Sequence, residues 1–207
     1  MSVRVKIIFH SIYGHIFRMA EAVSAGAREV EGAEVELLQV QETLSEAILQ
    51  KMGAVEAKKA FAHVPVADPK KLGEADALIF GSGTRFGSAT AQMQALFDAT
   101  GGLWNSGALV GKVGSVFTST ASQHGGQETT LMSMMTFLLH QGMVIVGVPY
   151  TEKRILAMNE ITGGSPYGAS TITGAQGERL PSENELAVAR YQGRHATEIA
   201  AKLARGK

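Results

Sequence analysis

Apolar positions divide the chain into short apolar runs separated by amphipathic stretches. Residues 3–9 (VRVKIIF) are β-branched and apolar over strand length, the pattern of a strand buried on both faces. After a polar, glycine-containing stretch, Met19, Val23 and Ala27 recur at helical spacing within 16–30, and Gly32 supplies a stop. Residues 34–40 read as a second strand, 75–81 as a third, 111–118 as a fourth and 143–148 as a fifth, closed by Pro149. Helices are expected at 90–99, 127–141 and 182–204, the last opened by Ser182 and Glu185 at capping-box spacing. Residues 42–62 carry a helical pattern through Leu44, Ile48 and Met52 but no sharp motif, and Pro65 and Pro69 break it. Asp68-Pro69 reads as a turn into a short helix that places Leu72. Residues 150–181 read as irregular and glycine-rich.

Strands alternating with helices in this way predict an α/β fold, a doubly wound parallel sheet of five strands covered by helices on both faces. No repeat and no linker is visible, so 1–207 is expected to form one domain. For this element count the known strand order is 2-1-3-4-5. The stretch 150–181 is too long to be idle in a compact domain and is expected to be ordered by a ligand, a neighbouring subunit, or both.

Composition narrows the function. With 45% hydrophobic and 18% charged residues the 207-residue chain is globular, and its formal net charge of zero leaves no basic stripe for nucleic acid or an anionic membrane. There is no cysteine, which excludes disulfides, thiolate metal sites, iron–sulfur clusters and a redox-active Cys pair; redox chemistry would need a bound cofactor. No stretch approaches the roughly 20 apolar residues of a membrane span. The N-terminal apolar run has only strand length, so a cytoplasmic location is the simplest expectation.

In an open α/β sheet the ligand sits outside the carboxyl ends of the strands. The loop after the first strand, Ser11, Ile12, Tyr13, Gly14, His15 and Ile16, lies before a helix N-terminus. There free N–H groups suit a phosphate, Ser11 and His15 add donors and Gly14 allows close approach; an ordinary capped turn is the competing reading. It lacks both the G-x-x-x-x-G-K-[ST] and the G-x-G-x-x-G patterns. After the third strand, Thr84, Arg85 and Phe86 are placed to frame a flat heterocycle. After the fourth, Ser119, Thr120, Ala121, Ser122, Gln123, His124 and Gly125 offer hydroxyls and an imidazole, and His140 at the end of the next helix is expected to reach the same edge. Trp104, the single tryptophan, reads either as core or as a stacking wall, and the Met residues at 132–135 as core filling or a subunit contact.

Six segments together resemble the WrbA family, the type IV NAD(P)H:quinone oxidoreductases. They are SIYGHI at 11–16, TRFG at 84–87, GGLW at 101–104, GGQE at 125–128, HQGMVIV at 140–146 and GGSPYGA at 163–169. The resemblance spans nearly the whole chain. Gly83 stands where the family usually has Pro, the loop at 122–124 departs from a plainer Thr/Gly-rich stretch, and 42–63 is the part least like the family.

The resemblance implies a flavodoxin-like fold, a homotetramer, and two-electron reduction of quinones by NADH or NADPH through FMN, with ping-pong hydride transfer by way of flavin N5. It places the FMN phosphate on residues 11–16 and the ring against Thr84, Arg85 and Phe86. Residues 119–125 and His140 complete that site, Tyr13 contacts the nicotinamide nucleotide, and Trp104 lines the substrate pocket. No metal is expected. A flavodoxin-like one-electron carrier and a regulatory binding protein are the alternatives; a chain of zero net charge with no acidic run and no DNA-reading motif weakens both.

Overall fold

The computed structural model describes residues 2–206. In chain order it holds β1 (Val3–His10), α1 (His15–Arg28), β2 (Ala33–Gln39), α2 (Glu46–Lys51), α3 (Val55–Lys59), a 3-10 turn (Pro69–Glu74), β3 (Ala77–Gly83) and α4 (Ala91–Asp98). Then follow α5 (Gly101–Asn105), β4 (Val113–Thr120), α6 (Gln127–His140), β5 (Val144–Ile145), a second 3-10 turn (Lys153–Leu156), β6 (Ser170–Ile172) and α7 (Glu183–Arg205). The ladders are parallel and the order is β2-β1-β3-β4-β5, as expected.

The sheet has six strands where five were expected, because β6 also pairs with β4. The fifth strand is split. Val144 and Ile145 pair with Val113 and Gly114; further along the same β4 edge Ser170–Ile172 pairs with Thr118–Thr120. The chain leaves the sheet at Gly147, where a Cβ would lie 2.1 Å from the Pro166 carbonyl oxygen, and returns at Ala169. Apolar patterning cannot find β6, since two of its three residues, Ser170 and Thr171, are polar and are buried by position alone.

The insertion between β5 and α7 is held by its own chain. Glu185, with a fully buried side chain, accepts from the N–H groups of Gly163, Ile172 and Ser182, from the Thr171 hydroxyl and from the Arg179 guanidinium. Ser182 caps α7 and Glu185 returns the capping-box bond, so one carboxylate both starts the helix and ties down the loop.

Alternate residues of the strands feed two cores. On one face Val5, Ile7 and Phe9 pack with Met19, Val23, Val188 and Ala196 of α1 and α7. On the other, Ile8, Leu78, Phe80 and Val116 pack with Met93, Leu96, Leu131 and Met134 of α4 and α6. Met134 is core filling, as one reading of the Met cluster had it, while Met132 is exposed. Each of these buried Val, Leu, Ile, Phe and Met side chains contributes about 1.5–3 kcal/mol.

α1 and α7 touch through glycines. A Cβ on Gly26 would lie 1.8 Å from the Arg190 carbonyl oxygen, and one on Gly193 would lie 1.9 Å from that of Val23. Replacing Gly193 by Ala must push the two backbones apart, so the variant is expected to lose at least about 2 kcal/mol of unfolding free energy; urea denaturation followed by circular dichroism measures it.

Candidate functional site

β1, β3 and β4 end at one level. His10 pairs with Ser82, Ser82 with Thr118 and Gly83 with Ser119. The third and fourth strands run two residues past the apolar stretches that mark them in sequence. The polar residues there still ladder, and the Thr118 hydroxyl donates to the Ser82 carbonyl at 2.7 Å. The loops that follow converge on a cavity of about 510 Å³.

Its floor is the start of α1. Gly14 holds φ +88°, and a Cβ there would meet nothing within 4 Å. No side chain caps this helix; the Ser11 hydroxyl instead accepts from the Gly14 N–H at 3.0 Å. An uncapped helix start facing a cavity leaves first-turn N–H groups free to meet an anion. Ser11, Ile12, Tyr13, His15 and Ile16 all line the cavity. His15 is buried, and its Nε2–H donates to the Gly177 carbonyl at 3.0 Å, so in the neutral ring only Nδ1 is uncommitted. Burial holds its pKa below the usual imidazole value, against the raising effect of that hydrogen bond. Tyr13 stands half exposed at the rim, with its hydroxyl 3.3 Å from the Met52 carbonyl.

The β3 loop supplies one wall. Thr84 and Arg85 line it, with Thr84 held by its N–H to the Ser119 carbonyl and by the Thr130 hydroxyl. Arg85 and Ser88 exchange backbone hydrogen bonds around Phe86 and Gly87, both at positive φ (53° and 78°). Such a left-handed turn costs a non-glycine residue about 1–3 kcal/mol, and it projects the Phe86 ring fully into solvent beyond the cavity lining. On the β4 side Ser119, Thr120 and Ala121 line the cavity, whereas residues 122–125 form a turn outside it.

Two expected residues lie elsewhere in the chain. α6 starts beside the Phe86–Gly87 turn and runs back along the sheet, so 14 residues at about 1.5 Å each carry His140 roughly 20 Å away. Next to it Gln141 donates to the Thr100 hydroxyl at 2.9 Å. Thr100 opens α5, a short helix that leaves Trp104 exposed rather than in the core. His140 and Trp104 therefore flank one junction at the opposite edge of the sheet from the cavity.

Several lining residues escape sequence reasoning: His10, Met52, Gly83, Thr90 and residues 173–177. His10 reads as the first residue of the polar stretch after the first strand, with no site role, and 173–177 as part of an irregular loop. That loop reaches the site because the Thr173 N–H donates to the Thr120 carbonyl at 2.8 Å and β6 has already joined the sheet. Among the described residues there is no cluster of metal-ligating side chains, and no helix is long and apolar enough to cross a membrane.

The family described as NADPH-dependent FMN reductase matches residues 11–152. A Methanosarcina acetivorans protein named NAD(P)H dehydrogenase (quinone) is 64% identical over 206 residues, covering 98% of this chain and 99% of that protein. One of the same name from Aromatoleum aromaticum is 62% identical over 204 residues, covering 99% of each. The chain belongs to the WrbA-type NAD(P)H dehydrogenase (quinone) family. A crystal structure described as a WrbA-like flavodoxin from Agrobacterium tumefaciens superposes with a TM-score of 0.65 at 25% identity, over 97% of this chain and 99% of that one. An archaeal flavodoxin shares the fold at a TM-score of 0.62 and 16% identity, over 96% and 99%. The flavodoxin-like fold is thereby shown.

Beside the cavity Glu42 takes the N–H groups of Thr43 and Leu44 and the Lys58 ammonium. Burial alone raises its pKa; the Leu44 N–H, Lys58 and His10 more than reverse this and lower it from 4.5 to about 2. The stabilisation this carboxylate provides is complete above pH 4.5 and is lost as pH falls toward 2. Unfolding free energy measured across that window is expected to fall with pH, and Glu42→Gln is expected to flatten the fall.

Proposed function

We propose that the protein is an FMN-dependent NAD(P)H:quinone oxidoreductase that reduces quinones by two electrons in a ping-pong cycle. The observation that carries the reading is the uncapped start of α1 at the floor of a cavity walled by the loops after β1, β3 and β4. A monophosphate fits that floor: the Ser11 hydroxyl and the N–H groups of His15 and Ile16 offer donors, no side chain caps the helix start, and Gly14, whose own N–H is held by Ser11, carries no Cβ to block the approach. Above it Thr84, Arg85, Ser119, Thr120 and Ala121 border room for a flat ring, and Arg85 places a permanent positive charge beside it. When bound, FMN supplies the two-electron redox chemistry. The relatives' shared name, NAD(P)H dehydrogenase (quinone), is the ground for taking NADH or NADPH and a quinone as substrates.

The chain's own residues bind and orient. Tyr13 at the rim is read as the contact for the nicotinamide nucleotide. Both substrates enter by the same mouth and so take turns. Exposed apolar side chains, Phe86, Trp104, Val110, Leu139, Tyr150 and Met158 among them, support a homotetramer. In it Trp104 and His140, too distant to serve their own protomer's cavity, serve a neighbour's.

Steady-state oxidation of NADH by benzoquinone, with added FMN, is expected to give parallel double-reciprocal lines; intersecting lines would contradict the alternating scheme. FMN binding with no NADH consumption would make the protein an electron carrier instead. Ser11→Ala is expected to weaken FMN binding by about tenfold, the worth of one hydrogen bond to a charged group. Sedimentation is expected to show four chains per particle, and a protein monomeric at assay concentration yet fully active would remove the neighbour's Trp104 and His140 from the site.

A further inference from the structure

The polar cluster around Glu42 borders the cavity, and the flavin reading gives it no role. Glu42 follows β2 and reaches across the carboxyl end of β1. Its Oε1 accepts from the N–H groups of Thr43 (2.9 Å) and Leu44 (3.0 Å) and from Gln92 Nε2 (3.0 Å). Its Oε2 accepts from Lys58 Nζ at 2.9 Å and lies 3.3 Å from His10 Nε2. Lys58 Nζ, in turn, reaches the Ser11 carbonyl at 3.3 Å. On the other side of the His10 ring, Nδ1 lies 3.0 Å from the Thr90 hydroxyl, which caps α4. His10, Ser11 and Thr90 all line the cavity.

The direction of these bonds follows from chemistry. An ionised carboxylate only accepts, so His10 Nε2 carries the hydrogen. In the neutral ring Nδ1 is then an acceptor, and the Thr90 hydroxyl donates to it. The Thr90 oxygen is left to accept from the Met93 N–H and the Ser82 hydroxyl, which sit at the start of α4 and the end of β3. The chain Thr90 to His10 to Glu42 thus has one direction. It braces the β1 loop against the β3 loop, while Lys58 braces the same carboxylate against the phosphate loop.

We propose that Glu42 is a positioning residue for the flavin site: through His10 and Lys58 it holds the phosphate loop at Ser11 and the start of α4 at Thr90 in the geometry that receives FMN. The proposal rests on the flavin reading for its ligand. A loop already set before the ligand arrives need not be ordered by it, and the saving is expressed as affinity. The segment 42–63, least like the family in sequence, thereby gains a role, since it carries both ends of the Glu42–Lys58 pair.

Glu42→Gln tests this. An amide brings donors where the carboxylate had only acceptors, so it meets Lys58 and His10 with the wrong polarity. In ¹⁵N NMR of the apoprotein, the wild-type His10 ring is expected to carry its proton on Nε2 with Nδ1 bare, and the variant to shift toward the Nδ1–H form. The FMN Kd, read by flavin fluorescence quenching, is expected to rise about tenfold, with Glu42→Asp recovering part of the loss. A folded Glu42→Gln protein with the wild-type tautomer and Kd overturns the proposal. If that variant does not fold, Lys58→Met is expected to weaken FMN in the same direction, and an unchanged Kd there overturns it equally. Wild-type protein that binds no FMN would remove the flavin reading, while the tautomer measurement would still decide whether Glu42 governs His10.

Discussion

The ladders joining β1 to β3 and β3 to β4 set the level at which these strands release their loops, through the pairs His10–Ser82 and Gly83–Ser119. Because all are parallel, their carboxyl ends face the same way and the loops open onto one space. The rest of the site follows. α1 must start where β1 stops, so its uncapped first turn becomes the floor. The β3 and β4 loops become adjoining walls, tied together by the Thr84 N–H and the Ser119 carbonyl. A shift of one residue in either ladder would exchange the faces of a strand and move Ser119 or Thr84 out of the lining.

Helices on both faces hold that level fixed. α1 and α7 approach so closely through Gly26 and Gly193 that neither position has room for a Cβ, and they clamp the face beneath the 11–16 loop. The Glu185 hub does the same for the insertion. It lets a long excursion leave the sheet after β5, return as β6 and deliver residues 173–177 to the cavity. A buried carboxylate with this many donors is a demanding arrangement, tolerable because its oxygens are so fully hydrogen-bonded.

What was legible in the sequence follows the same physics. Buried parallel strands read as apolar runs, so β1, β3 and β4 and their loops were visible, and with them Ser11, Thr84, Arg85 and Ser119. β6 was not, because three residues buried by position need not be apolar. His10 and Thr90 were missed because a buried polar group is declared by its partner, here Glu42, which lies 32 residues from His10 in the chain. His140 and Trp104 were legible as chemistry but not as location. Helical spacing gives the length of α6 but not the edge at which it ends.

The most direct measurement compares FMN with riboflavin, two ligands that differ only by the phosphate. The apoprotein is titrated with each and flavin fluorescence is followed. Saturable binding of FMN is predicted, with riboflavin at least about a hundredfold weaker, since the uncapped start of α1 is the part of the site that reads the phosphate. Equal affinity for the two, or no binding of either, would contradict it.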